Sequence, residues 1–308
     1  METRLKILFM GSPDISVPFL DFAYSKSSEI MVFTQKDKIR KRGSVLEPTP
    51  VKKRAVELKI PVHTLSAKTI ESINIIKEFS PDIILVVAFG QILPIELLNI
   101  PKLYPLNVHF SLLPQYRGAT PVNTALLNGD LITGTTVMVM NEGLDTGDII
   151  FSDKCEIDPE DNASTLFAKL VKLSLELLEN NWAAISKGDV LKIPQTGTFS
   201  LTRLIKKIDT VIDFKEKAVD LHNKIRAFNE EPGTKTVFRN NPLFIEKSTV
   251  SELSGESGKI IEIGKDFFTI ACSKGSIKVL QLKPAGKRSM KAKEFINGYK
   301  PAIGEVLG

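Results

Sequence analysis

The sequence predicts an α/β fold: a Rossmann-like parallel sheet with helices on both faces, followed by a small OB-like β-barrel domain. In the first part of the chain, apolar runs of strand length alternate with longer segments whose apolar residues recur at helical spacing. In the last part, five short alternating segments are separated by turns, as in a small barrel. We therefore expect a first domain over residues 1–188, a linker over 189–206 and a barrel domain over 207–308.

The elements of the first domain follow one another along an alternating pattern. Arg4–Met10 becomes a continuous apolar run that ends at Gly11-Ser-Pro, which predicts a buried first strand and its loop. Because this loop holds a single glycine, the Gly-x-Gly-x-x-Gly pattern is absent, and we expect no nicotinamide cofactor. Further strands are expected at residues 29–34, 60–65, 83–88, 103–109, 134–140 and 149–157, and helices at 17–25, 49–58, 70–79, 121–127 and 161–186.

Periodicity is lost between Lys187 and Lys206, where Gly, Pro, Gln and Thr are mixed. This composition is typical of an interdomain segment. A helix is expected after it, at residues 217–228. The five short strands of the barrel are expected at residues 234–238, 243–248, 258–263, 267–271 and 276–283.

Composition bounds the class of protein. Hydrophobic residues at 43% and charged residues at 25% are typical of a globular protein. Since no apolar run has the length of a signal sequence or a membrane span, we expect a cytoplasmic protein without membrane contact. Cys155 and Cys272 lie far apart without metal-ligand spacing, which predicts two reduced thiols and no metal site.

Positive charge is concentrated at the carboxy-terminal end. Residues 201–308 hold 20 Lys and Arg against 13 Asp and Glu, a net charge of +7, whereas the first 200 residues have a net charge of −2. Such asymmetry favours a polyanion bound by the second domain, because phosphate contacts supply most sequence-independent affinity for nucleic acid. A basic surface that serves only solubility is the alternative.

Three polar residues at the ends of apolar runs form the candidate catalytic group. Asn107 and His109 share one face if the strand extends to His109, because side chains alternate with period two. Asp145 lies in the glycine-bracketed turn Gly143-Leu-Asp-Thr-Gly147. An imidazole that exchanges protons near neutral pH, an amide donor and a carboxylate suit acyl transfer to an amine. The alternative is structural: a turn-closing Asn, a satisfied His and a loop-capping Asp.

The run Asn107-Val-His109-Phe-Ser111-Leu-Leu-Pro114, followed by the Gly143–Asp148 turn, resembles the formyltransferases that use 10-formyltetrahydrofolate. Two motifs of the second half, Arg226-Ala-Phe-Asn229 and Leu282-Lys-Pro-Ala-Gly-Lys287, resemble the branch of that family that formylates methionyl-initiator-tRNA. The resemblance covers nearly the whole chain.

The resemblance implies specific roles for residues of this sequence. Asn107, His109 and Asp145 would be catalytic, and the folate co-substrate would be held by Ser111, Leu112, Leu113 and Pro114. Backbone groups of Ala88 and Gly90 would read the pterin ring, although a tight loop without a ligand is the alternative. The partners implied are initiator methionyl-tRNA and the folate, with no obligate protein partner.

Two basic segments are the candidate RNA contacts. One is the loop that holds Arg40, Lys41 and Arg42, which resembles an inserted loop that engages the acceptor arm in this family. The other is the turn that holds Lys287 and Arg288 in the predicted barrel.

Two other functions are compatible with the same residues. A formyltransferase for an amino-sugar nucleotide or glycinamide ribonucleotide would share the chemistry but not require RNA. A non-catalytic RNA-binding module would keep its RNA affinity and show no formyl transfer.

Overall fold

The computed structural model describes residues 4–39, 46–229 and 232–308. The described part of the chain forms two compact units. The first comprises residues within Met1–Pro121, Ile132–Glu156 and Phe167–Thr202, and the second comprises Val122–Leu131, Ile157–Leu166 and residues within Arg203–Gly308. The predicted domain limits at 188 and 207 stay a prediction.

The first unit is built on a seven-stranded sheet in the order β5-β2-β1-β6-β7-β8-β9. Five strands run parallel, and the last two pairings, β7 with β8 and β8 with β9, are antiparallel. The sheet strands are β1 Leu5–Gly11, β2 Ser27–Phe33, β5 Val62–His63, β6 Ile83–Val87, β7 Tyr104–His109, β8 Ile132–Val139 and β9 Ile149–Glu156; β3 Lys38–Ile39 and β4 Leu46–Glu47 form a separate small ribbon.

The Rossmann-like α/β class is confirmed, and the antiparallel edge is an addition to it. Alternation of side chains does not report strand direction, so the sequence pattern does not distinguish a parallel from an antiparallel β8. Antiparallel edge strands on a parallel sheet are common in folds of this kind.

The ends of the helices in both units follow local chemistry. The α2 helix has Pro50 in its first turn, and the Thr49 hydroxyl accepts from the Lys52 N–H. The α3 helix ends at Phe79; the next residue, Ser80, has φ of +48°, and Pro81 follows it. The helices are α1 Val17–Lys26, α2 Pro50–Glu57, α3 Ile70–Phe79, α4 Ile95–Leu98, α5 Pro121–Asn128, α6 Ala163–Lys187, α7 Ala218–Ala227 and α8 Ala292–Tyr299.

The second unit holds an antiparallel sheet in the order β10-β11-β14-β13-β12, with β15 paired to β14. Bridges from Phe238 to Leu307 and from Lys259 to Val306 connect the two edges through one carboxy-terminal segment. The sheet therefore closes on itself, as the sequence predicts for a small barrel. Its strands are β10 Thr234–Phe238, β11 Asn241–Ser251, β12 Ile260–Ile263, β13 Phe268–Ala271, β14 Ser276–Pro284 and β15 Met290–Lys291.

The α8 helix supplies an aromatic part of the barrel core, and it was missing from the elements expected from the sequence. Phe295 stacks on Phe268 at 5.6 Å and on Tyr299 at 4.5 Å between ring centroids. Phe295 is 1% exposed. The helix is short, but Ala292, Phe295, Ile296 and Tyr299 recur at helical spacing and form its apolar face.

Among the described residues, no helix combines the length and apolar character needed to cross a membrane.

Candidate active site

A cavity of about 420 Å³ opens at the carboxyl ends of β6 and β7 in the first unit. Asn107, His109 and Asp145 all line it, so the structure brings together the three residues that lie far apart in the sequence. In parallel α/β sheets this edge is where ligands bind. The remaining lining residues come from residues 86–93, 108–121 and 140–144.

The ring of His109 is held by the main chain. Its Nε2 lies 2.9 Å from the carbonyl oxygen of Tyr116. Because a carbonyl oxygen can only accept, Nε2 carries the proton, and in the neutral ring Nδ1 has the free lone pair. That Nδ1 lies 3.7 Å from Oδ2 of Asp145. The arrangement places a proton acceptor and a carboxylate side by side at the cavity.

The carboxylate of Asp145 is positioned by a turn with an unusual backbone. Asp145 has φ of +50°, in the left-handed region that non-glycine residues rarely adopt. Its Oδ2 accepts from the Gly118 N–H at 2.7 Å, and its side chain is 14% exposed. A main-chain donor therefore fixes the oxygen that faces His109.

Asn107 lies on β7 and is 9% exposed, in register with Val86 on one side and Met138 on the other. Within the described ranges the side-chain amide of Asn107 makes no hydrogen bond to another residue. A buried amide is costly unless its donors are used. Since Asn107 lines the cavity, its N–H groups are available to an oxygen bound there.

The loop after β6 also has left-handed backbone. Ala88 has φ of +48° and Gly90 has φ of +74°, and both line the cavity. The Phe89 carbonyl between them accepts from Nε2 of Gln35 at 2.8 Å. The loop is thus fixed in a form that presents main-chain groups of Ala88 and Gly90 to the cavity.

The segment Ser111–Pro114 connects β7 to Tyr116. The Ser111 hydroxyl donates to the Gln115 carbonyl at 2.6 Å, and the Leu113 N–H donates to the Thr136 hydroxyl at 3.2 Å. In the part of the chain that the structure covers, Ser111, Leu112, Leu113 and Pro114 do not line the 420 Å³ cavity. Their predicted role in holding the folate stays a prediction.

Sequence reasoning missed the contribution of residues 193–202, which it assigned to the linker. In the first unit this segment lies along the loop that follows Pro114. Ile193 forms a two-way main-chain pair with Ile149 at 2.8 and 2.9 Å. Further along, Ser200 and Thr202 bind the main chain of Tyr116 and Arg117. A Pro-Gln-Thr-Gly run without periodicity gives no sign of such pairing.

Only one of the two basic segments expected to contact RNA lies within the described residues. Arg40, Lys41 and Arg42 lie outside the described residues. Lys287 and Arg288 are exposed in the turn after β14 in the second unit. Lys287 also lines a cavity of about 290 Å³ with the aromatic residues Phe238, Phe295 and Tyr299.

The motif that begins at Arg226 lies beside another cavity of the second unit, of about 400 Å³. The guanidinium donates to Oδ1 of Asn223 at 3.0 Å. Burial lowers the pKa of Arg226, and the charge of Asp161 opposes that effect. In the described ranges, no group of three His, Cys, Asp or Glu residues is arranged to hold a metal ion.

Comparison with known proteins agrees with both units. The formyl transferase family model matches residues 5–180, and the model of the formyl transferase C-terminal domain matches residues 204–300. The chain is 38% identical to the methionyl-tRNA formyltransferase of Trichlorobacter lovleyi over 308 residues, covering 99% of this chain and 98% of that protein. It is also 38% identical to the methionyl-tRNA formyltransferase of Clostridioides difficile, covering 99% of this chain and 100% of that protein.

Among solved structures, the fold is similar to that of an N-formyltransferase from Helicobacter canadensis, solved with folinic acid and dTDP-3-aminofucose. The TM-score is 0.67 at 23% identity, covering 89% of this chain and 98% of that one. The two family models and the 38% identity over nearly the whole chain show that the chain belongs to the formyl transferase family.

Proposed function

We propose that this protein transfers the formyl group of 10-formyltetrahydrofolate to the α-amino group of methionyl-initiator-tRNA. The observation that supports it most directly is the convergence of Asn107, His109 and Asp145 on one cavity. The full-length relatives at 38% identity carry that activity in their names, which favours an aminoacyl-tRNA over a sugar nucleotide as acceptor.

The residues of the cavity fit a folate co-substrate. Apolar side chains such as Phe89, Ile92 and Leu93 line the side next to the main-chain groups of Ala88 and Gly90. A flat heterocycle needs this combination of apolar walls and main-chain hydrogen-bonding groups. The formyl carbon would lie toward Asn107 and His109, where the polar lining is concentrated.

His109 exchanges the proton in the proposed reaction. The neutral amine attacks the formyl carbon, a C–N bond forms, and the carbonyl oxygen becomes an oxyanion. Nδ1 of His109 takes the proton lost by the amine and returns it to the folate nitrogen when the original C–N bond breaks. Asp145, 3.7 Å away, stabilises the imidazolium between these two steps.

Asn107 stabilises the oxyanion. Its amide donors are already fixed on β7 and need not reorganise when charge develops, which is what makes such donors effective. Because the formyl group arrives activated, the protein contributes orientation and charge stabilisation, with no covalent intermediate on a side chain.

In this proposal, basic side chains supply the protein's affinity for the acceptor tRNA. Lys287 and Arg288, in the domain we assign to residues 207–308, would contact tRNA phosphates, as would Arg40, Lys41 and Arg42 at the first domain. The net charge of +7 on residues 201–308 supports this assignment. Residues 189–206 would connect the two domains.

The test is incubation with 10-formyltetrahydrofolate and methionyl-initiator-tRNA, with mass spectrometry of the amino acid released from the tRNA. We expect a gain of one formyl group. Parallel reactions replace the tRNA with an amino-sugar nucleotide or glycinamide ribonucleotide. Formylation of either of these and not of methionyl-tRNA would overturn the proposed acceptor, and tRNA binding without formylation of any acceptor would overturn the proposed reaction.

A further inference from the structure

The side chain of Gln195 lies between two loops of the candidate active site. Its Nε2 donates to the main-chain carbonyls of Asp145 at 2.9 Å and Gly147 at 2.8 Å. Its Oε1 accepts from Nε and Nη2 of Arg117 at 3.1 and 2.7 Å. Carbonyls can only accept and a guanidinium can only donate, so the partners leave the amide one possible orientation.

These hydrogen bonds stabilise the turn that contains Asp145, whose backbone conformation is unfavourable. The left-handed backbone of Asp145 is unfavourable for a residue with a side chain, and such conformations persist where the surroundings fix them. Gln195 holds the carbonyls on both sides of Thr146, and so fixes the main chain that carries the Asp145 carboxylate. The same amide holds Arg117, which directly precedes the Gly118 N–H donor to that carboxylate.

Arg117 is itself immobilised. Its guanidinium lies 4.9 Å from the centroid of the Phe199 ring, and its main chain bonds to Ser200 and Thr202. The Ser200 hydroxyl accepts from the Tyr116 N–H at 2.8 Å, and the Tyr116 carbonyl is the acceptor of the His109 ring. Residues 193–202 therefore contact the supports of both His109 and Asp145.

We propose that Gln195 is a positioning residue for formyl transfer. Anchored by Arg117, it sets the position of the Asp145 carboxylate against Nδ1 of His109, without touching the reacting atoms. The kinetic part of this proposal rests on the proposed function. The structural part concerns the His109 and Asp145 geometry and stands without it.

The substitution that tests it is Gln195→Glu. The shape is kept and the oxygen facing Arg117 is kept, but the atom facing the two carbonyls becomes an acceptor in place of a donor. We expect kcat to fall roughly 10- to 100-fold, because displacement of a catalytic group by about 1 Å has effects of that size. We expect KM for both substrates to change less than about twofold, since the substitution removes no contact with a substrate.

Gln115→Glu is the matched control. Gln115 is exposed, and its Nε2 donates to the Thr198 carbonyl at 2.7 Å, so the same exchange breaks the same kind of bond to the same segment. It leaves the Asp145 turn untouched, and we expect kcat within about twofold of the unsubstituted protein. A second variant, Arg117→Lys, keeps the charge, loses the forked contact to Oε1, and should give a smaller loss of kcat than Gln195→Glu.

A spectroscopic readout does not depend on turnover. The chain has three histidines, so the imidazole nitrogen resonances can be assigned with single-histidine substitutions. The resonance of His109 Nδ1 should shift in Gln195→Glu and stay in place in Gln115→Glu. If the unsubstituted protein formylates none of the acceptors, the proposed function fails while this measurement still decides the positioning role.

The proposal is overturned if Gln195→Glu keeps kcat within about twofold and leaves the His109 resonances in place. It is equally overturned if Gln115→Glu lowers kcat as much as Gln195→Glu, since the effect would then belong to the segment as a whole. Should Gln195→Glu fail to fold, an unchanged kcat and an unchanged His109 spectrum in folded Arg117→Lys would overturn it.

Discussion

Nδ1 of His109 lies 3.7 Å from Oδ2 of Asp145, while the opposite ring nitrogen donates to the carbonyl of Tyr116. The ring is thus oriented by main chain on one side and faces a carboxylate on the other. A neutral imidazole held in this way has its lone pair directed to the carboxylate side, where a proton can be received and then stabilised. This geometry gives His109 and Asp145 separate tasks.

We expect His109→Ala to lower kcat for formyl transfer by roughly 100-fold or more, because the group that takes the proton from the amine and returns it to the folate nitrogen is lost. KM for the formyl donor and the tRNA should change little, since the ring makes its hydrogen bond to protein. Steady-state kinetics with each substrate varied in turn would measure both. His63→Ala is the control, because His63 lies on the edge strand β5 and stacks on Phe33 at 5.0 Å, away from the cavity lining. Retained turnover in His109→Ala would remove His109 from the mechanism.

Gly147→Ala should damage the turn that carries Asp145. A Cβ at this position would collide with the carbonyl oxygen of Val139, whose N–H bonds to the Asp148 carbonyl at 2.9 Å. Since neither group can move without breaking the pairing, we expect a loss of about 1–3 kcal/mol in the free energy of unfolding and a lower kcat. Denaturant unfolding and kinetics would measure these. Gly298→Ala in α8 has open space around its Cβ and should be neutral or slightly stabilising, so an equal loss in both variants would contradict the collision.

The double substitution Lys287→Ala with Arg288→Ala should weaken tRNA binding and make it less sensitive to salt. Each lost phosphate contact lowers the slope of log affinity against log salt by about 1. Filter binding at several salt concentrations would measure the slope, with Lys172→Ala as control because Lys172 is an exposed lysine of α6 that pairs with Glu176. Arg42→Ala, a prediction from the sequence, should act in the same direction. If either variant gives the same salt slope as Lys172→Ala, the residues replaced in that variant contact no phosphate.

The two cysteines should differ sharply in reactivity. Burial raises the pKa of the Cys272 thiol to about 11, and the residue is 3% exposed. At pH 8 only about one molecule in a thousand would hold its thiolate, which is the reactive form. Cys155 is partly exposed, so a thiol reagent should modify one cysteine in the folded protein and the second only after denaturation. Cys155→Ser should remove the fast reaction, and persistence of that reaction would assign it to Cys272.

Most of the fold was predictable because burial leaves a regular pattern. The run Ile83–Val87 is buried at every position, and its apolar sequence predicts a central strand. Helix α3 matches its expected bounds at Ile70 and Phe79, since Thr69 and Pro81 mark its ends. The antiparallel direction of β8 was not predictable, because side chains alternate in the same way in parallel and antiparallel strands. Helix α8 was overlooked although it has a helical period, since Ala292, Phe295, Ile296 and Tyr299 are spaced to lie on one face.

Some residues of the candidate site could be predicted from the sequence, and others could not. That Asn107, His109 and Asp145 line one cavity was predictable, because two polar residues share a face of a buried strand and the third lies in a glycine-bracketed turn; their catalytic role stays a prediction. Gln195 was not, since its role depends on two main-chain carbonyls and a guanidinium that only the folded chain brings near it. Its neighbours are exposed and aperiodic, so the surrounding sequence looks like linker.

The pairing of residues 193–202 with the loop after Pro114 decides where the protein can be divided. A fragment that stops at Lys187 would include every strand of the seven-stranded sheet, yet it would lack Gln195 and Ser200. Such a fragment would keep the whole sheet but lose the hydrogen bonds that Gln195 and Ser200 make to the loops of His109 and Asp145. A fragment intended to keep the candidate site intact should therefore extend at least to Thr202.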